Sequence, residues 1–127
     1  MQRALQDAAI PNPVIIAEDG LKAVDYLSGA GQFSDRTAFP LPALLFLDLK
    51  MPGKTGLDVL AWLRQQEALR SIVVIILTSS QEPLDLRRAY HLGANSYLVK
   101  PSTTPRLREL VRAVKVYWLE FNLFDQV

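Results

Sequence analysis

The stretch Leu44-Leu45-Phe46-Leu47-Asp48-Leu49-Lys50-Met51-Pro52-Gly53 decides the fold of this 127-residue chain. Its apolar run shows no polar alternation, which predicts a strand buried on both faces, as in a parallel sheet. Similar runs occur at three other places. The predicted strands therefore cover residues 14–17, 43–48, 72–78 and 96–100.

Helical patterns lie between these runs, at residues 1–9, 21–27, 57–66 and 83–92. The helix over 83–92 has Ser80 as its candidate cap and stops before Gly93. The last helix is predicted to begin with Thr104 as N-cap and Pro105 as its first residue. Its apolar residues recur every three or four positions: Leu107, Leu110, Val111, Val114, Tyr117, Trp118 and Phe121. This alternation of strands and helices predicts an α/β fold with a parallel sheet.

Composition limits the functions that this chain can have. With Lys+Arg 14 against Asp+Glu 13 and a net charge of +1, no broad basic surface is available for nucleic acid or anionic lipid. The chain lacks cysteine, and its longest aliphatic run, over 72–77, is too short to span a membrane. We therefore expect one cytoplasmic domain over 1–127, with an inserted loop at about 28–42 and a tail at about 121–127.

Three predicted strands end in polar side chains that suit phosphoryl chemistry. Asp48 ends the second strand, Thr78 the third and Lys100 the fourth. In an open parallel sheet, ligands bind outside the carboxyl ends of the strands. A carboxylate could attack phosphorus there, while an ammonium and a hydroxyl stabilise the phosphoryl oxygens. The predicted site is therefore formed by Asp48, Thr78 and Lys100.

Three stretches carry a resemblance to a known family: residues 44–53 with Gly56, Ile76-Leu77-Thr78-Ser79, and Gly93-Ala94-Asn95-Ser96-Tyr97-Leu98-Val99-Lys100-Pro101. Together they resemble the CheY-like receiver domain of two-component response regulators. The resemblance implies a flavodoxin-like doubly wound sheet with strand order 2-1-3-4-5. It also implies that Asp48 is the phosphoacceptor, Thr78 the switch hydroxyl, Lys100 the phosphate-binding cation and Tyr97 an aromatic switch. A cis Lys100–Pro101 bond is expected by the same analogy.

The loop before residue 43 and the ending Tyr117-Trp118-Leu119-Glu120-Phe121-Asn122 give a narrower resemblance, to single-domain regulators that partner phytochrome histidine kinases. This implies a histidine kinase as partner and a signalling role rather than that of a metabolic enzyme. Leu119, Leu123 and Phe124 add apolar surface beyond the core face of the last helix. We therefore expect a homodimer through this helix or through an exposed part of the sheet.

One departure from the family pattern concerns its metal. Receivers hold Mg²⁺ with an acidic pair at the end of the first strand, but Glu18-Asp19 follow what resembles the family's second strand. The first strand and its acids would then be missing, which predicts two exposed inner sheet edges. Asp48 and the Lys50 carbonyl remain as ligands, so Mg²⁺ binding should be weak. The alternative function is a degenerate receiver, an interaction module that works without phosphorylation.

Overall fold

The computed structural model describes residues 14–122. Strands and α-helices alternate along the chain: β1 Val14–Ala17, α1 Gly20–Ser28, β2 Leu44–Leu47, α2 Gly56–Gln65, β3 Val73–Thr78, α3 Pro83–His91, β4 Ser96–Val99 and α4 Thr104–Lys115. A π-helical turn, Val116–Phe121, continues α4. The helix expected at residues 1–9 lies outside the described residues.

All four described strands are parallel and form one sheet in the order β1-β2-β3-β4. This confirms the predicted α/β class. The expectation of two exposed inner edges is wrong, because β1 pairs directly with β2 from Val14↔Leu44 to Ala17↔Leu47. Unpaired backbone groups at the centre of a sheet are costly, and this pairing satisfies them. The inner edges therefore offer no surface through which a second copy could complete the sheet.

Two apolar layers enclose the sheet. The helices α1, α2 and α3 pack on one face, where Leu45, Leu47, Val74 and Ile76 are fully buried. The other face carries α4, whose Val111 and Val114 contact the strand residues of the opposite parity: Leu44, Phe46, Val73, Ile75 and Leu77. Apolar side chains on both faces explain why the strand sequences do not alternate with polar residues.

Direct pairing of β1 with β2 brings their following loops into contact. The Gly20 N–H donates to the Pro52 carbonyl oxygen at 3.0 Å. A Cβ at Gly20 would lie 2.1 Å from the Lys54 carbonyl oxygen, so a larger residue would push the two loops apart. The start of α1 is therefore packed against the loop that follows Asp48.

Three local predictions are wrong in the described residues. The N-cap of α4 is Thr103, whose side chain accepts from the Arg106 N–H, and Thr104 is the first helical residue. Ser80 does not cap α3, since the cap position is Glu82. No described peptide bond is cis, so Lys100–Pro101 is trans. Boundaries of this kind depend on local hydrogen-bond geometry that residue spacing does not specify.

The aromatic end of α4 also differs from the prediction. Trp118 packs against the core, as expected, but Tyr117 is 57% exposed and Phe121 is 76% exposed. The chain follows π-helical hydrogen bonding from Val116 onward, and the Asn122 N–H donates to the Tyr117 carbonyl oxygen. The wider turn shifts side chains off the stripe that a spacing of three and four predicts.

The segment between α1 and β2 is tied to the end of α1. Arg36 donates to the carbonyl oxygens of Tyr26 at 2.8 Å and Leu27 at 2.7 Å, and the Tyr26, Phe33 and Phe39 rings contact one another. Within residues 14–122, no helix is both long and apolar enough to cross a bilayer.

Candidate functional site

Asp48, Thr78 and Lys100 meet at the carboxyl edge of the sheet. Asp48 follows β2, Thr78 ends β3 and Lys100 follows β4. The Lys100 ammonium lies 2.6 Å from Asp48 Oδ2, and the side chains remain 34% and 23% exposed. Thr78 is buried at the end of the strand next to Asp48, and its hydroxyl contributes to lowering the pKa of the Asp48 carboxyl group. The structure thus brings together the three predicted side chains, with the carboxylate open to solvent.

The topology explains this convergence. Because the strands are parallel and adjacent, their carboxyl ends lie along one edge of the sheet. Gly56 lets the first turn of α2 approach, since a Cβ there would lie 2.2 Å from the Asp48 carbonyl oxygen. Thr55 then caps α2 by accepting from the Asp58 N–H. The loop after Asp48 is therefore held on both sides, by α1 and by α2.

The charge of Asp48 is stabilised by its neighbours. Partial burial alone would raise the pKa of its carboxyl group, but the Lys100 ammonium, the Lys50 N–H and the Thr78 hydroxyl outweigh that effect. The pKa of Asp48 is consequently below its ordinary value. The Lys50 N–H donates to the other oxygen, Oδ1, at 3.2 Å. Asp48 is thus an ionised, oriented carboxylate at neutral pH.

Tyr97 lies on β4 and is half-buried against the α1–α3 face of the sheet. Its hydroxyl donates to the Ser80 carbonyl oxygen at 3.0 Å, in the loop that follows Thr78. The Lys100 N–H donates to the Thr78 carbonyl oxygen at 2.8 Å. The side chain predicted to act as a switch is therefore bonded to the loop next to the site.

The described residues do not fit a tightly held divalent metal ion. Among residues 14–122, Asp48 is the only acid in direct contact with Lys100, and both of its oxygens already accept hydrogen bonds. Asp19 accepts from the N–H groups of Leu21 and Lys22 as the N-cap of α1. Across residues 14–122, no group of three acidic, histidine or cysteine side chains is arranged to hold a metal.

Sequence reasoning missed the role of Arg64, which lies in the last turn of α2 and binds segments at the amino edge of the sheet. Its guanidinium donates to the carbonyl oxygens of Gly93, Arg70 and Ile72 and to the Asn95 side chain, at 2.7 to 3.0 Å. Burial lowers the pKa of Arg64. An arginine on the apolar stripe of α2 is the signal that could have revealed it. The side chain anchors the turn that leads into β4 and Lys100.

Comparisons with known proteins agree with this geometry. A sequence profile of the response regulator receiver domain matches residues 2–112. The probable methanogenesis regulatory protein FilR2 of Methanothrix harundinacea is 37% identical, with 96% of this chain and 76% of that protein covered. The response regulator Rcp1 of a Synechocystis species is 35% identical over 94% of this chain and 80% of that protein.

Two solved structures have the same fold over nearly the whole chain. The phosphorylated cyanobacterial phytochrome response regulator RcpA superposes with a TM-score of 0.88 at 29% identity, covering 98% of this chain and 90% of RcpA. The Mn²⁺-bound form of Rcp1 superposes with a TM-score of 0.85 at 34% identity, covering 98% of this chain and 88% of Rcp1.

Proposed function

Because the chain belongs to the response regulator receiver domain family, which acts in two-component phosphorelay signalling, we propose that Asp48 is its phosphoacceptor. The observation that carries this proposal is the 2.6 Å contact between the Lys100 ammonium and Asp48 Oδ2 at an edge open to solvent. An ionised carboxylate beside a fixed cation and a hydroxyl suits phosphoryl transfer, which depends mainly on positioning and electrostatic stabilisation.

In the proposed reaction, a carboxylate oxygen of Asp48 attacks the phosphorus atom of a phosphohistidine in the kinase. The new bond is an acyl phosphate, and the broken P–N bond returns its electron pair to the imidazole nitrogen, which takes up a proton. Lys100 then moves from the carboxylate to the phosphoryl oxygens, and the Thr78 hydroxyl donates a hydrogen bond to one of them. Tyr97 then changes position, because its hydroxyl and the Thr78 hydroxyl are both bonded to Ser80 in the same loop.

The proposed partner is a histidine kinase, and specifically one of the phytochrome class. RcpA is described as a phytochrome response regulator, and its fold covers 98% of this chain. We expect the transfer to take place in the cytoplasm. Any catalysis is expected to be limited to phosphoryl transfer onto the protein itself, because receivers are signalling proteins.

We propose that Mg²⁺ binds only weakly, through Asp48 and the Lys50 carbonyl oxygen. The related Rcp1 has been solved with Mn²⁺ bound. In residues 14–122, no second carboxylate joins Asp48 to offset the charge of a divalent ion. Hard cations prefer several oxygen ligands, and loss of carboxylates lowers their affinity.

The decisive experiment mixes this chain with an autophosphorylated bacteriophytochrome kinase, with and without Mg²⁺. We expect intact-mass spectrometry to show one added phosphoryl group, and borohydride reduction of the acyl phosphate to mark Asp48. Label on any other residue would contradict the proposal. Absence of label from a chain that folds, judged by circular dichroism, would favour the alternative, an interaction module that works without phosphorylation.

A homodimer through the end of α4 is proposed as well. Tyr117 and Phe121 line a groove of about 560 Å³ beside Arg112 and Val116, and both rings are mostly exposed. Exposed aromatic side chains of this kind are typical anchors of protein interfaces. We expect Phe121→Ala to weaken self-association by about tenfold in sedimentation equilibrium. Tyr90→Ala on α3 serves as the control, and a wild-type chain that stays monomeric at high concentration would refute the dimer.

A further inference from the structure

Ser80, which follows Thr78 by two residues, makes three hydrogen bonds that connect separate parts of the molecule. Its backbone N–H donates to Thr78 Oγ1 at 3.3 Å. Its carbonyl oxygen accepts from the Tyr97 hydroxyl at 3.0 Å. Its side-chain hydroxyl donates to Asp85 Oδ2 at 2.6 Å. One half-buried residue therefore contacts β3, β4 and α3 at the same time.

The contact with Asp85 holds Ser80 in place. Asp85 lies in the first turn of α3, and a hydrogen bond from a hydroxyl to a carboxylate is among the stronger kinds in proteins. The Ser80 hydroxyl oxygen also accepts from the Glu82 N–H at 3.3 Å. With one donor and one acceptor contact, the side chain is held in one orientation. The loop from Thr78 to α3 is thereby fastened to the helix.

This arrangement decides where the Thr78 hydroxyl can donate. The oxygen of that hydroxyl already accepts the Ser80 N–H, so its own proton is directed elsewhere. Asp48 follows the neighbouring strand, and the Thr78 hydroxyl contributes to lowering the pKa of its carboxyl group. If the loop moved, the Ser80 N–H would leave Thr78, and the hydroxyl would lose this fixed orientation. A hydrogen-bond donor that is already oriented toward the developing charge stabilises the transition state more than a donor that must be ordered during the reaction.

We propose that Ser80 is a positioning residue for phosphoryl transfer, and that its hydrogen bond to Asp85 keeps the Thr78 hydroxyl in one orientation and Tyr97 bonded to the same loop. This proposal rests on the phosphoacceptor role of Asp48. Ser80 does not touch the phosphoryl group itself. It acts through Thr78 on one side and through Tyr97 on the other.

The first test measures the rate of phosphoryl transfer from the phosphorylated kinase. Ser80→Ala keeps both backbone contacts but removes the bond to Asp85, and we expect transfer to slow by about fivefold. Ser80→Thr retains a hydroxyl and should recover most of the rate, which a general loss of stability would not allow. The control is Ser79→Ala, at an exposed neighbouring position.

Asp85→Ala should slow transfer as much as Ser80→Ala does. Because both changes break the same bond, the double variant should be no slower than either single variant. Rates that multiply in the double variant would show that the two residues act independently. That result, or a normal rate in Ser80→Ala, would overturn the proposal while leaving Asp48 as the phosphoacceptor.

A second measurement does not require phosphorylation. In the unphosphorylated chain, Ser80→Ala should shift the NMR signals of the Thr78 methyl group and the Tyr97 ring, and Ser80→Thr should restore them. Unchanged signals would overturn the positioning role even if no phosphoryl group ever reached Asp48. Conversely, shifted signals without phosphoryl transfer would contradict the proposed function and leave the Ser80 network intact.

Discussion

Replacing Lys100 with methionine is expected to slow phosphoryl transfer to Asp48 by about 10²- to 10³-fold. The Lys100 ammonium is the cation in contact with Asp48, at 2.6 Å from Oδ2. Methionine keeps much of the length and apolar volume of lysine but cannot donate a hydrogen bond or stabilise negative charge. The phosphoryl oxygens would then depend on Thr78 and the Lys50 N–H.

The same substitution should change the pH dependence of stability. The pKa of Asp48 is below its ordinary value of 3.8 in the folded chain, because the contacts with Lys100, Lys50 and Thr78 outweigh its partial burial. The ionised carboxylate therefore stabilises the wild type above that ordinary value, and this contribution is lost as pH falls through the folded pKa. The difference in unfolding free energy between wild type and Lys100→Met should shrink over the same acidic range.

Rapid-mix labelling by the phosphorylated kinase gives the rate, and urea unfolding at several pH values gives the stability. Lys22→Met, an exposed lysine on α1, is the matched control and should transfer at the wild-type rate. If Lys100→Met accepts phosphoryl groups as fast as this control, the assigned role of the ammonium is wrong.

Arg64→Met is expected to lower the free energy of unfolding by about 3 kcal/mol. The guanidinium satisfies the carbonyl oxygens of Gly93, Arg70 and Ile72, and methionine would leave these acceptors without their donor. Each acceptor that loses its partner away from water costs about 1 to 3 kcal/mol. Arg64 anchors the turn before β4, which contains Tyr97 and leads to Lys100. The variant should therefore also hold the Tyr97 and Lys100 side chains less firmly in place.

Equilibrium urea unfolding followed by circular dichroism measures this loss. Arg70→Met is the matched control, because it removes an exposed guanidinium and keeps the carbonyl oxygen that Arg64 binds. The control should stay within about 0.5 kcal/mol of the wild type. The unfolding free energy of Arg64→Lys should lie between those of Arg64→Met and Arg70→Met, since one ammonium cannot reach all the acceptors of a planar guanidinium. Equal stability of Arg64→Met and the control would exclude the anchoring role.

The strands and the three site residues could be predicted from the sequence because their signals are local and periodic. The apolar runs around Leu45, Ile75 and Leu98 predict strands, and strands lie at those places. The first two are buried on both faces, as predicted, whereas the strand at Leu98 is only half-buried. Parallel strands place their carboxyl ends at one edge, so Asp48, Thr78 and Lys100 had to come close once the sheet formed. The apolar positions of α4 at Val111 and Val114 were likewise readable from their spacing.

Only the tertiary structure decided the contacts between segments far apart in the chain. That β1 pairs directly with β2 depends on which strand edges meet, and no local pattern specifies a neighbour. The bond from Ser80 to Asp85 and the carbonyl oxygens held by Arg64 depend on how a loop and a helix end are placed. The exposure of Phe121 depends on a change of helical pitch that residue spacing does not record. Periodicity is a property of one segment, whereas register, loop position and burial are settled by packing between segments.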